Sequence, residues 1–276
     1  MSYLDAYHAW LNSPALSAAE KAELASIQGD DKEIESRFFD QLSFGTAGLR
    51  GTMGVGLYRM NVHVIRHATQ AFAQVILEEG PQAAARGVAV CFDCRNNSDV
   101  FAREAACVMA GNGIPVRLFE SLRPTPELSF AVREYGCIAG LNVPASHNPP
   151  EYNGIKIFDG QGFKLPDSVE DEIEAFMARG GAAADELPRG DEVGVAVPVE
   201  DACELYIQHA VQSVEKQGID FKGLKVALDT GHGASCMTSA EALRRLGADV
   251  TIINDDYCGT DINVQCGSTH LEPLRA

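Results

Sequence analysis

The sequence predicts an α/β fold in which a mixed, mostly parallel sheet is sandwiched between helices. Short apolar runs rich in β-branched residues alternate with longer segments of helical periodicity, and this order is typical of parallel strands joined by helical crossovers. The same strand–helix–strand order returns towards the carboxyl terminus, after a segment rich in glycine and charge. With 276 residues, 46% of them hydrophobic, the chain is long enough to bury one or two cores. We therefore expect a larger α/β unit followed by a smaller one.

Helices are predicted before the first strand. The amphipathic segments 4–27 and 32–42 predict two helices that pack against each other. A third helix is predicted over 61–79, with Asn61 as its N-cap and Gly80-Pro81 at its end.

The central strands alternate with helices. Strands are predicted at 87–92, 116–119 and 137–143, and helices at 98–111, with Ser98 as N-cap, and at 125–135. Parallel pairing is expected at the centre of the sheet because helices separate these strands along the chain. The last of the three strands leads directly to Ser146.

The chain changes character after a helix predicted at 167–178. Residues 179–198 are rich in Gly, Ala and charge, and they predict a loop or an inter-domain connection. A helix at 200–217, a strand at 225–229, a Gly-rich turn at 230–235, a helix ending at 246 and a strand at 249–253 follow. We therefore expect one domain at 1–190 and a second at 200–276. The Gly-rich turn either cradles a phosphate at a helix N-terminus or serves packing; packing is favoured because the turn lacks the lysine of a P-loop.

The charge balance excludes several classes of partner. The chain has 39 acidic and 22 basic residues and a net charge of −17, which argues against nucleic acid or an anionic membrane surface as a partner. This charge would also oppose an anionic substrate, so we expect local basic groups to counter it, namely Arg50, Arg95 and Lys156 in predicted loops. The sequence has neither a long uncharged apolar run nor a basic-then-apolar leader, and we expect a cytoplasmic protein.

The eight cysteines do not indicate a metal or redox site. Their spacing is irregular, and we expect all of them to be reduced thiols. Cys91 and Cys94 form a CxxC at the end of a predicted strand, without a second pair to complete a zinc site. We interpret this pair as a buried strand cysteine beside a loop cysteine.

The stretch 142–158, NVPASHNPPEYNGIKIF, carries the chemistry of the chain. Ser146 and His147 bring a hydroxyl nucleophile and an imidazole together, and Lys156 follows in what we expect to be the same loop. Three prolines restrict the backbone around the serine, which suits a serine that carries a covalent intermediate. An ordinary surface turn rich in Asn, Pro and Gly explains the composition equally well.

Four motifs in the same order resemble those of the α-D-phosphohexomutases, the family of phosphoglucomutase and phosphomannomutase. The stretch around Ser146 is similar to the phosphoserine loop of the family. The segment FGTAGLRGTM at 44–53 resembles the amino-terminal signature of the phosphoglucomutase/phosphomannomutase branch. CFDCRNNS at 91–98 resembles the GxDxR element of the family, and RPTPEL at 123–128 resembles its TP turn.

The resemblance implies an isomerase, more narrowly an intramolecular phosphotransferase that interconverts hexose 1-phosphate and hexose 6-phosphate. Ser146 would carry a phosphoryl group, exchange it with the hexose phosphate through a sugar bisphosphate, and provide one ligand to Mg²⁺ through that group. A sugar bisphosphate would also serve as the activator that phosphorylates the enzyme.

The resemblance also implies roles for the basic residues of the motifs. Lys156 would assist movement of the proton or charge at the reacting hydroxyl, and Arg50 would contact phosphoryl oxygens. His147 would orient the serine or act as acid and base, or it is a loop histidine bonded to the backbone. Arg95 is expected to pin the phosphoserine loop rather than to contact substrate.

The carboxyl-terminal segment NVQCGSTHL at 263–271 resembles the phosphoglucosamine mutase branch just before its metal loop. The Asp-rich DGDxDR loop of the family, which holds Mg²⁺, does not occur in the sequence. We therefore expect the first domain of a phosphohexomutase and an incomplete second one, either as half of a longer enzyme or as a shortened relative. In both cases the isolated chain should turn over slowly or not at all.

Two functions remain open at this point. The first is a phosphohexomutase, with glucose phosphate as the expected substrate. The second is a non-catalytic remnant that keeps the fold and acts as a binding or regulatory module. No segment of the sequence distinguishes a subunit interface from ordinary surface, so the oligomeric state is left open.

Overall fold

The computed structural model describes residues 2–45, 48–179 and 193–276. Its strands are Phe44–Gly45 (β1), Gly48–Thr52 (β2), Val88–Phe92 (β3), Val116–Phe119 (β4), Ala139–Val143 (β5), Tyr152–Asp159 (β6), Ala196–Val199 (β7), Lys225–Asp229 (β8) and Asp249–Ile253 (β9). Its helices are Tyr3–Leu11 (α1), Ala18–Ser26 (α2), Asp31–Phe38 (α3), Val62–Glu78 (α4), Pro81–Ala84 (α5), Ser98–Gly111 (α6), Thr125–Glu134 (α7), Asp167–Arg179 (α8), Ala202–Glu215 (α9), Ser239–Arg245 (α10) and Glu272–Arg275 (α11).

The predicted α/β class is confirmed by the larger sheet. It has seven strands in the order β1-β2-β6-β5-β3-β4-β7, and the four strands β5, β3, β4 and β7 run parallel to one another. All residues of β3 and β5 are buried, as expected for strands covered on both faces. Side chains of α4, α6 and α8 belong to the core on one face of this sheet, and those of α7 and α9 belong to the core on the other.

Three strands at the antiparallel side, β1, β2 and β6, were missed, and two of them carry predicted site residues. Lys156 lies on β6 and Arg50 lies on β2, whereas loops were predicted at both positions. β6 pairs antiparallel with β5 on one side and with β2 on the other. These strands contain glycine and asparagine, which are typical of turns, and the sequence therefore did not predict them. The signal that was present is the alternation of the buried Ile155 and Ile157 with Lys156, as expected for a strand.

The predicted connection at 179–198 is wrong for its last residues, which form the edge strand β7. β7 pairs parallel with β4, so the larger sheet extends to Val199. Pro198 is compatible with an edge strand, because such a strand pairs on one side only and can therefore lack an N–H donor. The part of this prediction that covers residues 180–192 lies outside the described residues.

The amino-terminal helices differ from the prediction in their boundaries. The segment 4–27 forms two helices, because α1 and α2 each begin with their own capping box and Pro14 lies between them. Helix α3 ends at Phe38 rather than at residue 42. The three helices share a small core in which Tyr7, Leu24 and Phe38 are buried.

The middle helices agree more closely with the prediction. Helix α4 has Asn61 as its N-cap, as predicted; its side chain accepts hydrogen bonds from the N–H groups of the first turn. Helix α6 begins at Ser98, but its N-cap is Asn97 in a left-handed conformation. The Ser98 hydroxyl donates to Asp93 instead of capping the helix.

The smaller unit is a two-stranded parallel sheet in which β8 pairs with β9. The predicted helix between them is a 3₁₀ turn, Ala234–Met237, followed by α10. Asp229, at the end of β8, organises the adjoining loops because its carboxylate accepts from the backbone N–H groups of Gly231 and Gly267 and from the Asn254 amide.

The eight cysteines are all free thiols, as predicted. Cys91 is buried on β3, and burial raises the pKa of its thiol well above the ordinary value. Cys94 is half-buried in the following loop. In the described part of the chain, no helix combines the length and the apolar character that crossing a membrane requires.

A carboxyl group is buried beneath the first turn of α7. Glu127 is 0% exposed, and the Arg123 Nε lies 3.1 Å from its Oε1. Burial raises the pKa of Glu127 to about 7, and the Arg123 charge opposes this rise only in part. Because the folded protein binds this proton more tightly than the unfolded chain, Glu127 stabilises the fold at low pH. That contribution is lost as the pH rises through about 7.

Replacing Glu127 by Gln should remove this dependence on pH. The glutamine is neutral at every pH, so the variant should match the wild type near pH 4, below the ordinary glutamate pKa of 4.5. It should exceed the wild type at pH 8 in free energy of unfolding, by at most roughly 3 kcal/mol. Urea unfolding at both pH values measures the difference. An equal difference at the two values would contradict the assignment.

Candidate active site

The Ser146 loop follows β5 at the carboxyl ends of the parallel strands, where α/β folds place their ligand sites. Ser146 is exposed and has a φ of 55°, a left-handed conformation that costs a residue with a side chain on the order of 1–2 kcal/mol. Such strain persists only where surrounding contacts enforce it. Within the loop, the Asn148 N–H donates to the carbonyl of Ala145 at 3.0 Å.

Arg95 enforces this conformation from beneath the loop. Its side chain is 0% exposed. The guanidinium donates to four backbone carbonyls of the loop, those of Pro149 at 2.7 Å, Tyr152 at 3.0 Å, Ser146 at 2.9 Å and Asn148 at 2.7 Å. The prediction that Arg95 pins the loop is confirmed by these contacts.

Asp93 compensates the buried charge of Arg95. Its Oδ2 lies 3.3 Å from the Arg95 Nε, and its Oδ1 accepts from the Arg95 backbone N–H and from the Ser98 hydroxyl. Burial raises the pKa of Asp93, and the hydrogen bonds and the charge of Arg95 oppose that rise. The CFDCRNNS motif therefore supplies a buried ion pair that supports the loop.

Arg50 reaches the same loop from β2. Its Nη1 donates to the Asn148 Oδ1 at 3.0 Å, and the side chain is partly buried. Burial lowers the pKa of Arg50, but an arginine stays protonated at neutral pH. The close approach of β2 and β6 requires Gly154, since a Cβ at that position would lie 2.5 Å from the carbonyl oxygen of Leu49 and 2.9 Å from the Cγ of Arg50.

Lys156 lies on β6 opposite Asn142 of β5. Its side chain is half-buried, and no ion-pair partner for it occurs in the described ranges. Burial lowers the pKa of the Lys156 amine, the nearby charge of Arg50 lowers it further, and Asp93 opposes both. A partly desolvated lysine without a carboxylate partner is suited to an anion.

His147 is exposed beside the serine. Its Nδ1 lies 3.4 Å from the Ser146 Oγ, which is a long hydrogen bond. The two residues are adjacent in the chain, and the backbone at Ser146 is left-handed. The imidazole is therefore within reach of the hydroxyl proton.

Sequence reasoning missed one residue of this site, Asn263. Its Nδ2 donates to the carbonyl of Ser146 at 2.9 Å and to that of Asn148 at 3.3 Å, although it belongs to the smaller unit. A second contact between the units is made by the Cys94 thiol, which donates to the carbonyl of His232 at 3.1 Å. The NVQCGSTHL motif marked this segment, but nothing in the sequence indicated contact with Ser146.

The residues of the site fit an anion rather than a metal cation. Arg50, Lys156 and Arg95 surround the serine loop, in a chain with a net charge of −17, and the expected local excess of positive charge is thus present. Among the described residues there is no group of three or more His, Cys, Asp or Glu that could hold a metal ion. Asp93 is engaged by Arg95 and Ser98, so Ser146 alone does not constitute a magnesium site.

Comparison with known proteins gives one consistent result. The family description "phosphoglucomutase/phosphomannomutase, alpha/beta/alpha domain I" matches residues 41–184. Phosphoglucosamine mutases of Clostridium acetobutylicum and Clostridium tetani are each 38% identical to this chain over 84% of its length and 49% of theirs. The chain therefore spans about half the length of the curated relatives it matches.

Solved structures show the same fold. A provisionally named phosphomannomutase from Thermus thermophilus has a TM-score of 0.65 at 28% identity, over 79% of this chain and 47% of its own. A phosphoglucomutase/phosphomannomutase family protein from Burkholderia thailandensis has a TM-score of 0.63 at 20% identity, over 79% of this chain and 44% of its own.

Replacing Arg95 by Met should lower the free energy of unfolding by about 3–5 kcal/mol, because it leaves Asp93 as a buried unpaired charge and the loop carbonyls without donors. Urea unfolding measures the loss. Arg103→Met is the matched control, since the Arg103 side chain is 67% exposed and its pair with Asp99 is solvated. Equal losses in the two variants would contradict the role of Arg95.

Proposed function

The chain belongs to the α-D-phosphohexomutase family, and we propose that it supplies the serine nucleophile of a hexose phosphate mutase. The observation that carries the proposal is the Ser146 loop, in which a strained, exposed serine is surrounded by Arg50, Lys156 and the buried Arg95. A hydroxyl held in this way beside positive charge is suited to accept and carry a phosphoryl group.

The proposed reaction consists of two phosphoryl transfers, one from Ser146 to the sugar and one from the sugar to Ser146, and the two transfers move different phosphoryl groups. In the first step a sugar hydroxyl attacks the phosphorus on Ser146; a P–O bond to the sugar forms, the P–O bond to Ser146 breaks, and the hydroxyl proton ends on the Ser146 Oγ. The product is a sugar bisphosphate. After it reorients, the Ser146 Oγ attacks the phosphorus of the other phosphoryl group; a P–O bond to Ser146 forms, the P–O bond to the sugar breaks, and the serine proton ends on the sugar oxygen. The sum is an isomerisation of hexose 1-phosphate and hexose 6-phosphate.

Each basic residue has a role in these steps. Lys156 stabilises the charge that builds on the transferring group or carries its proton, because its half-buried amine has a lowered pKa and no carboxylate partner in the described ranges. Arg50 contacts phosphoryl oxygens with the part of its guanidinium that Asn148 does not engage. His147 orients the serine or exchanges its proton, at 3.4 Å from the Oγ.

The first phosphoryl group would come from a sugar bisphosphate, which is the proposed activator. Magnesium remains part of the proposal for the family reaction. However, the described residues offer it no set of carboxylates, so no step here is assigned to it.

We infer glucosamine phosphate as the substrate, in place of the glucose phosphate expected from the sequence. The support is the name of the relatives, phosphoglucosamine mutase, at 38% identity, together with the NVQCGSTHL motif at 263–271. The chain covers only half of those relatives, so the assignment to this sugar is a proposal.

A non-catalytic binding module remains the second candidate. It is favoured by a single observation, the lack of a metal-binding group of side chains within the described ranges. The two candidates differ in whether Ser146 accepts a phosphoryl group.

The protein purified from the cells that make it should carry one phosphoryl group, on Ser146, or should gain it from glucosamine 1,6-bisphosphate. Intact mass and peptide mapping detect the group. Ser146→Ala should lose it completely, whereas Ser268→Ala, at an exposed serine, should keep it. Phosphate that persists in Ser146→Ala would show that another residue is the acceptor, and its absence from the wild type under both conditions would favour the binding module.

Lys156→Met should slow phosphoryl uptake from the sugar bisphosphate on the order of a hundredfold, since it removes a charge at the reacting group and keeps the side-chain volume. Quenched time points followed by mass spectrometry give the rate. Lys225→Met, at an exposed lysine of β8, is the control and should react at the wild-type rate. An unchanged rate in Lys156→Met would remove Lys156 from the mechanism.

A further inference from the structure

The carbonyl groups of Ser146 and Asn148 are each bound twice, from opposite units of the molecule. Arg95 donates to both from the larger unit, at 2.9 and 2.7 Å. Asn263 donates to both from the smaller unit, at 2.9 and 3.3 Å. The loop is thus held by a charged donor on one side and by a neutral amide on the other.

The position of the Asn263 amide is itself well defined. Asn263 has a φ of 62°, and its backbone N–H donates to the carbonyl of Gly231 at 3.1 Å. Gly231 and Gly267 are tied to the carboxylate of Asp229, and a Cβ on Gly267 would lie 3.3 Å from the Asn263 Oδ1. The turn after β8 therefore determines where this amide lies, and the amide is fixed relative to the smaller unit.

Holding the Ser146 carbonyl has a direct effect on the side chains of the site. This oxygen belongs to the peptide plane between Ser146 and His147, so its orientation determines ψ of the serine and φ of the histidine. Together with the left-handed φ of Ser146, these angles set the directions of the hydroxyl and of the imidazole. A donor to this one oxygen therefore acts on both groups.

We propose that Asn263 is a positioning residue for Ser146, which couples docking of the smaller unit to the geometry of the nucleophile. The inference rests on the proposed function in that it takes Ser146 as the phosphoryl acceptor. The smaller unit also contacts the loop after β3 at two points. The Cys94 thiol donates to the His232 carbonyl, and Gly259 lies so close to Asn96 that a Cβ on the glycine would be 2.7 Å from the Asn96 backbone nitrogen.

Asparagine meets both requirements of the position. It is the residue with a side chain that most readily adopts the left-handed region, and its amide provides the donor. Glycine keeps the backbone and removes the donor, so Asn263→Gly isolates the contact. Asn263→Asp keeps the shape but turns an acceptor towards two carbonyl oxygens. Gln265, which is exposed and also left-handed at a φ of 53°, offers the control Gln265→Gly.

Hydrogen exchange of the full chain tests the inference without relying on activity. The reporter is the Asn148 amide, which donates to Ala145 inside the loop at 3.0 Å. Its exchange should be about fivefold faster in Asn263→Gly, the factor that one net hydrogen bond of about 1 kcal/mol contributes, and faster still in Asn263→Asp. Gln265→Gly should exchange as the wild type does, and the amides of β8 and β9 should be unchanged in all variants.

Phosphoryl uptake from glucosamine 1,6-bisphosphate, measured on the same proteins, separates this inference from the proposed function. We expect uptake in Asn263→Gly to be slower by about tenfold, because a small misplacement of a nucleophile is costly. Three results in Asn263→Gly would each overturn the positioning role. The first is an unchanged exchange rate at the Asn148 amide, and the second is an equal increase in the exchange rates of β8 and β9. The third is faster exchange at Asn148 together with phosphoryl uptake at the wild-type rate. Faster exchange at Asn148 in a protein whose wild type takes up no phosphate would instead overturn the proposed function and leave Asn263 as the residue that holds the loop.

Discussion

The buried guanidinium of Arg95 is the interaction on which the rest of the site depends. A cation without solvent contact is unfavourable unless it is paired and fully hydrogen-bonded. Here the pairing comes from Asp93, and the hydrogen bonds come from carbonyls of one loop. Those carbonyls converge on Arg95 only if the chain reverses direction sharply after β5. The left-handed conformation of Ser146 is therefore a consequence of satisfying a buried charge that follows β3, the strand next to β5.

The same arrangement would let an acidic protein hold an anion, as the proposed function requires. The chain has a net charge of −17, but at about 0.1 M salt the repulsion from charges farther than about 10 Å from a phosphate is largely screened. Close to Ser146 the local charges decide. Arg95 is compensated by Asp93, which leaves Arg50 and Lys156 as the charges that a ligand meets. Burial lowers the pKa of Lys156 and the Arg50 charge lowers it further, and an anion beside the amine would oppose both effects.

The sequence was sufficient for features that depend on local pattern. The apolar runs of β3 and β5 predicted buried parallel strands, and Asn61 predicted the start of α4. The sequence was insufficient where glycines interrupt the apolar periodicity of a strand. β2 and β6 contain glycines that close strand contact requires, and glycines in a sequence usually indicate turns. The contact of Asn263 with Ser146 joins positions 117 residues apart, and no local signal records such a contact.

The proposed phosphoryl transfer would place two requirements on the site. One is a nucleophile held in a reactive geometry, and the described residues meet it through Arg95, Asn263 and the loop itself. The other is enough positive charge to balance a dianion and a second phosphate, and here only Arg50 and Lys156, among the described residues, contribute in addition to the compensated Arg95. Loading Ser146 from a sugar bisphosphate is itself a phosphoryl transfer, so it would need both requirements, as each later transfer would. Phosphorylation of Ser146 and isomerisation of a sugar phosphate would therefore make the same demands on the geometry and the charge of this loop.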